Sequence, residues 1–270
     1  MTKLIDYLKL AVQVVYSALV WFAVFAGMAC VIIVWGVTTM FVGVREAQAR
    51  YGNPVMAFCL RLTLSRIEVI RDPDFDPQQR VMYVQNHVNV MDAHAACNAL
   101  SHAFCGIMNA WQFKIPFYGR IMRHAGGIPV RPGSTNRYAE IAEAARDRIA
   151  QGLSILVYPE AHRTRDGKVH EFKKGVFLMA RDAGLPIVPF ATRGMYEMNR
   201  KGTWLFKPSR ITLYVGAPIE TAGLSNEEMR AVMDRTHKII SDFAERGIIP
   251  GGPGGPGRSE APAKPTPAGS

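Results

Sequence analysis

The sequence predicts an α/β fold, a mainly parallel sheet flanked by helices and preceded by a helical membrane segment. Three observations carry this expectation. Strand-length apolar runs alternate with helical periods between residues 81 and 247. An almost unbroken apolar run fills positions 11–44. From Pro250 onward Gly and Pro dominate with no apolar period, the composition of a disordered tail. The expected organisation is therefore a membrane-anchoring segment at 1–48, one α/β domain at 49–248, and a tail at 249–270.

The apolar run from Ala11 to Val44 has Gln13, Ser17, Thr38 and Thr39 as its clearly polar members, and none is charged. A single crossing needs ~20 residues, so the run is too long for one untilted helix. It fits either a long tilted helix or a helical hairpin turning near Gly27. Lys3 and Lys9 precede it, and Arg45, Arg50, Arg61 and Arg66 follow it. Basic residues on both flanks favour the hairpin, with both ends on the cytoplasmic face, the inner membrane if the chain is bacterial.

Asp72-Pro73-Asp74-Phe75-Asp76-Pro77 reads as a loop. A strand at 81–85 leads to a helix at 90–102, and an apolar run follows at 104–108. A helix at 135–151 carries Tyr138, Ile141, Ala145 and Ile149 on one face and ends at Gly152. A strand at 154–158 precedes a helix at 174–183, and strands follow at 187–190 and 211–215. The last helix begins with a capping box, Ser225 with Glu228, and stops at Gly247.

The formal charge of +10 points to a polyanionic partner: nucleic acid, an anionic membrane surface or a phosphorylated substrate. The apolar N-terminus argues for lipid and against nucleic acid. The strip Trp111, Phe113, Phe117 and Tyr118, with Lys114 and Arg120 among them, then reads as membrane-facing or core-packing rather than as a base-stacking surface. Four cysteines, Cys30, Cys59, Cys97 and Cys105, lack metal-type spacing and read as small core residues in a reducing compartment.

Four islands carry candidate chemistry, all near strand ends, where open α/β sheets bind ligands. The first is Asn86-His87-Val88-Asn89-Val90-Met91-Asp92. It puts a histidine at a strand-to-helix turn and a carboxylate in the first helical turn, suited to a general base held in one tautomer. Alone, the pair fits a helix-start carboxylate beside an incidental histidine better, and a metal site from His87, Asp92 and His94 is a further alternative. The second island is Gly126-Gly127-Ile128-Pro129-Val130-Arg131, preceded by Lys114-Ile115-Pro116-Phe117-Tyr118-Gly119. The third runs Tyr158-Pro159-Glu160-Ala161-His162-Arg163 and on to Lys173-Lys174-Gly175. The fourth is Leu185-Pro186-Ile187-Val188-Pro189. No Gly-x-Ser-x-Gly elbow is present, which argues against a serine hydrolase.

In this order, over about residues 80–192, the four islands resemble the glycerolipid acyltransferases, specifically the 1-acylglycerol-3-phosphate (lysophosphatidic acid) acyltransferase family. The resemblance implies that a lysophospholipid hydroxyl attacks the thioester of acyl-CoA or acyl-carrier protein. It needs no metal and no cofactor beyond that co-substrate. His87 would be the general base, Asp92 its orienting partner, and Arg131 a phosphate ligand with Gly127 allowing close headgroup approach. Glu160 and Arg163 match the family's Glu-Gly-Thr-Arg pattern, Arg163 holding phosphate and Glu160 positioning that arginine or a substrate hydroxyl. Lys173 would meet anionic lipid or a phosphate. Ala161 and His162 depart from the pattern, standing where Gly and Thr are usual, and His162 would add a headgroup contact. The implied partners are lysophospholipid, acyl thioester, anionic membrane lipid and an acidic carrier protein. Two alternatives stand beside lysophosphatidic acid as acceptor: another lysolipid such as a lyso-ornithine lipid, or a lipid-binding protein that has lost catalysis.

Overall fold

The computed structural model describes residues 2–131, 133 and 137–251. The expected tail falls almost wholly outside them.

The expected hairpin is not formed. Helix α1 runs unbroken from Thr2 to Thr38, straight through Gly27. No proline interrupts this stretch, and the run supplies no polar turn chemistry, so helix propagation continues. Gly27 serves a different purpose. A Cβ there would lie 2.3 Å from Cys59 Sγ, so its absence lets α1 press against α3 (Asn53–Arg61). One stripe of α1 is buried against the domain: Ser17, Val20, Val24, Met28, Val31 and Trp35. Gln13 Nε2 and Ser17 Oγ both donate to the Phe206 carbonyl, the Phe206 N–H donates back to Ser17 Oγ, and Trp21 Nε1 donates to the Trp204 carbonyl. The opposite stripe, including Leu8, Val12, Val15, Leu19, Phe22 and Ile33, is exposed. By length and composition α1 is able to cross a membrane.

After the short helix α2 (Val44–Ala47) and α3, whose Pro54 sits in its first turn, the chain enters a seven-stranded sheet. Its strands are β1 (Arg66–Arg71), β2 (Met82–Gln85), β3 (Phe104–Asn109), β4 (Ile128–Val130), β5 (Ser154–Val157), β6 (Ile187–Arg193) and β7 (Arg210–Val215). The spatial order is β1-β7-β6-β2-β5-β3-β4. β6, β2, β5, β3 and β4 run parallel, while β7 is antiparallel to β6 and β1 follows β7 in parallel. The mainly parallel sheet of the sequence reading therefore holds, with a two-strand reversed edge.

Helices α4 (Asp92–Ala99), α5 (Tyr118–His124), α6 (Arg137–Ala150), α7 (Lys174–Asp182), α8 (Met195–Met198) and α9 (Asn226–Ser241) complete the elements. β2 and β5 are buried on both faces, as parallel strands covered by helices must be. Alternation along β2 sends Tyr83 to one side and Met82 and Val84 to the other. The first side packs under α1, α3, α4 and α5, the second under α6, α7 and α9. This three-layer sandwich brings the carboxyl ends of β2, β5 and β4 to one edge, and with them His87, Tyr158 and Arg131.

Candidate active site

The first island folds as a tight connection between β2 and α4. Asn86 extends the sheet with its side chain: its Oδ1 accepts the Thr192 N–H at 2.8 Å and its Nδ2 donates to the Thr192 carbonyl at 3.0 Å. That fixes where β2 ends and where His87 leaves it. Asp92 then gathers the turn onto one oxygen. Its Oδ2 accepts the Val88 N–H at 2.8 Å, the Asn89 N–H at 2.9 Å and His87 Nδ1 at 2.8 Å. A carboxylate that already accepts two N–H groups takes a third from Nδ1, so the proton of neutral His87 sits on Nδ1 and Nε2 carries the lone pair. Asp92 is 1% exposed while the His87 side chain keeps 24%, so the ring reaches the surface with its orienting group sealed beneath it.

The third island grips the same histidine from β5. Glu160 Oε1 accepts the His87 N–H at 2.8 Å, and Glu160 Oε2 accepts the His170 N–H at 3.0 Å. The Thr164 N–H donates to the His87 carbonyl at 2.8 Å. Tyr158 lies flat against the imidazole, with ring centroids 4.1 Å apart and planes 19° from parallel. Burial pushes the Glu160 carboxyl above its ordinary value, opposed by the two backbone N–H groups it accepts. Burial raises the Tyr158 phenol well above its ordinary value, so it stays neutral.

The structure thus joins His87, Asp92 and Glu160 in one network. Each of the two Glu160 oxygens accepts one backbone N–H group, from His87 and from His170. The Arg163 side chain is half-buried, and its carbonyl accepts Lys201 Nζ at 3.0 Å. His162 and Lys173 are exposed on the same loop system, and the Lys173 N–H donates to the Pro159 carbonyl at 2.9 Å. Ala161 adopts φ +65°, a left-handed conformation that favours glycine, so the departure noted in the sequence carries real backbone strain.

Arg131 follows β4, three strands from β2, or about 14 Å across the sheet at ~4.8 Å per strand. It is exposed, near Glu140, Glu143 and Asp147 of α6. Gly127 is buried. A Cβ there would meet the Met122 carbonyl at 2.8 Å and the Phe113 ring at 3.1 Å, so the protein itself approaches this glycine closely. His94 points into the core, where burial drives its imidazole down to about 4, apart from the His87–Asp92 pair. Among the described residues no three His, Cys, Asp or Glu gather as a metal site.

Two groups escaped the sequence reading. Asn89 donates to the Met195 and Asn199 carbonyls at 2.8 and 2.9 Å, tying the histidine loop to α8 and its following residue. Tyr158 opens the third island, but the sequence reading assigns it no role there. Its position directly before Pro159-Glu160 was the available signal.

Comparison with known proteins agrees with this geometry. Residues 62–193 match the Acyltransferase family model. The chain is 30% identical to a 1-acyl-sn-glycerol-3-phosphate acyltransferase of Limnanthes douglasii, over 60% of this chain and 58% of the relative. It is 27% identical to the alpha form of that enzyme from Bos taurus, over 67% of this chain and 63% of the relative. It therefore spans about 60% of the length of these curated relatives. The crystal structure of the 1-acyl-sn-glycerophosphate (LPA) acyltransferase of Thermotoga maritima shares the fold, with a TM-score of 0.70 at 22% identity, covering 87% of this chain and 97% of that one. Residues 62–193 thus carry a domain similar to the Acyltransferase family model, on a fold shared with the Thermotoga maritima structure.

Proposed function

We propose that this protein transfers a fatty acyl group from a thioester donor, acyl-CoA or acyl-carrier protein, to the free hydroxyl of a lysophospholipid, with 1-acylglycerol-3-phosphate as acceptor and phosphatidic acid as product. The observation that carries the reading is the His87–Asp92 pair at a strand end, with Nδ1 committed to the carboxylate and Nε2 left for a substrate. An alcohol is a poor nucleophile until a base takes its proton in the transition state. Nε2 takes the hydroxyl proton as the oxygen attacks the thioester carbon. The tetrahedral intermediate collapses, the C–S bond breaks, and the departing sulfur recovers the proton from the imidazolium. Asp92 stabilises that imidazolium, and no covalent acyl-enzyme forms. Arg163, next in the chain to Thr164, whose N–H donates to the His87 carbonyl, holds the acceptor phosphate as an arginine fork does well. Arg131, farther along the same edge, and Lys173 provide further positive charge.

The protein works at a membrane. Residues 13–35 of α1 are tied to the domain along one stripe, and the opposite stripe is apolar and exposed. With α1 docked in this way, its exposed apolar stripe meets lipid, the domain lies on the cytoplasmic side, and the +10 charge favours anionic lipid. A second acceptor, another lysolipid such as a lyso-ornithine lipid, is favoured by one observation: strained Ala161 and exposed His162 reshape the loop beside Arg163.

The test is mass spectrometry of products from purified protein in anionic vesicles, given mixed lysolipid acceptors with acyl-CoA or acyl-carrier protein. Phosphatidic acid is the expected product. Acylation of another lysolipid with no turnover of lysophosphatidic acid removes the default acceptor, and no acyl transfer to any acceptor removes the enzymatic reading.

A further inference from the structure

His87 is held at every polar group except Nε2. Asp92 takes Nδ1, Glu160 the backbone N–H, and Thr164 the carbonyl. The remaining handle is the ring face, and it belongs to Tyr158. The 4.1 Å centroid separation and 19° interplanar angle are those of a stacked pair, not of a passing contact. Tyr158 is itself fixed. It follows β5 directly, packs against the core beneath α4, and its carbonyl accepts the Ala161 N–H at 3.1 Å.

We propose that Tyr158 is a positioning residue for the reaction, acting through His87. This rests on the reading of His87 as the base. A hydrogen bond from Nδ1 to Asp92 fixes one point of the imidazole but leaves the ring free to rock about that bond. Tyr158 removes this freedom by covering one face, so that Nε2 projects at a single angle and only the opposite face remains open to substrate. When Nε2 takes the hydroxyl proton the ring becomes a cation. A cation over an aromatic face is stabilised by the ring quadrupole, so the contact strengthens as the proton moves, which is the condition for lowering a barrier rather than merely binding. The stacking needs only a flat π face, and the phenol oxygen has no part in it.

That last point gives the experiment. Acyl transfer to lysophosphatidic acid is measured for wild type, Tyr158→Phe, Tyr158→Leu, His87→Ala and the double variant His87→Ala/Tyr158→Leu, each reconstituted full-length in anionic vesicles. Phe keeps the ring and is expected to keep kcat within about twofold. Leu keeps much of the bulk without the ring and is expected to lower kcat about tenfold while leaving KM for both substrates within about twofold. In the His87→Ala background the same Leu change is expected to cost nothing further, because its effect passes through the imidazole. A merely structural tyrosine gives a different result, the same loss with and without His87. That additive result overturns the assignment, as does a Leu variant as active as wild type or a Phe variant as impaired as Leu. These outcomes leave the base reading standing. A His87→Ala enzyme of wild-type activity overturns both.

Discussion

Glu160→Gln tests whether this buried carboxylate serves the protein backbone or the substrate. Glu160 is 7% exposed, and its oxygens accept the His87 and His170 N–H groups at 2.8 and 3.0 Å. Glutamine has nearly the same shape but one oxygen. Whichever N–H keeps that oxygen exchanges a charge-assisted bond for a neutral one. The other faces an NH2 group, donor against donor. Hydrogen bonds to charged groups are worth roughly 1.5–3 kcal/mol, and a buried unpaired donor costs roughly 1–3 kcal/mol. Relief from burying a charge offsets part of this. The net loss is about 2 kcal/mol, which for a domain of this size lowers Tm by roughly 4–8 °C. The His87 loop also loses its anchor, so kcat is expected to fall at least tenfold while KM for the acceptor changes little. Thermal unfolding and steady-state acyl transfer on the same preparation measure both. An unchanged Tm with a raised acceptor KM would refute the reasoning, because Glu160 would then be contacting substrate.

Three further outcomes follow from the same coordinates. Ala161→Gly removes the left-handed strain at φ +65°; after the extra chain entropy of glycine is counted, stability is expected to rise by about 0.5–1 kcal/mol, read as a higher unfolding midpoint. Gly194→Ala, at φ +85° with a Cβ 1.9 Å from the Arg210 carbonyl, is expected to force β6 from β7 and cost about 3 kcal/mol or more, read by thermal unfolding. Stability is also expected to fall on acidification. Burial lowers His94 and His102 from 6.5 to about 4, so between these pH values the unfolded chain binds protons that the folded protein refuses. Each histidine then removes about 1.4 kcal/mol per pH unit, to a limit of roughly 3 kcal/mol, and the loss stops below about pH 4. Denaturant titrations across this window read the slope, and a flat profile for these two groups, isolated with His94→Gln and His102→Gln, contradicts it.

Much of the fold was legible because parallel strands buried on both faces are short apolar runs. The runs at 81–85 and 154–158 lie within a residue of β2 and β5, and the run at 187–190 covers the first four residues of β6. The capping box of Ser225 and Glu228 announced the last helix, and both of its reciprocal bonds form. β1 alternates as Arg66-Ile67-Glu68-Val69 but is only partly buried, so it lacks the apolar run that marks the central strands. β4 has only three residues, with a proline at its centre, and such a strand exists only because β3 pairs with it. The hairpin at Gly27 failed for a physical reason. Hydropathy and flanking charge measure how a segment partitions into lipid, whereas the space opposite Gly27 was needed by Cys59, a contact 32 positions away.

The site divides in the same way. His87 and Asp92 are five apart, so their pairing follows from local turn geometry and could be read from the sequence. Glu160 reaches His87 only because β5 lies beside β2, and its acceptance of two backbone N–H groups is a tertiary fact with no local pattern. Gly127 illustrates the same point: the close approach of the Met122 carbonyl and the Phe113 ring to it is a tertiary fact that the local spacing does not reveal.

The central claim is that the His87 imidazole takes the proton from the acceptor hydroxyl. It is tested most directly by single-turnover acyl transfer from acyl-CoA to lysophosphatidic acid with wild type and His87→Ala, both shown by thermal unfolding to be folded. The account predicts that the alanine enzyme binds both substrates and loses at least about 10²–10⁴-fold in the rate of ester formation. An alanine enzyme that forms phosphatidic acid within a few-fold of the wild-type rate would contradict it.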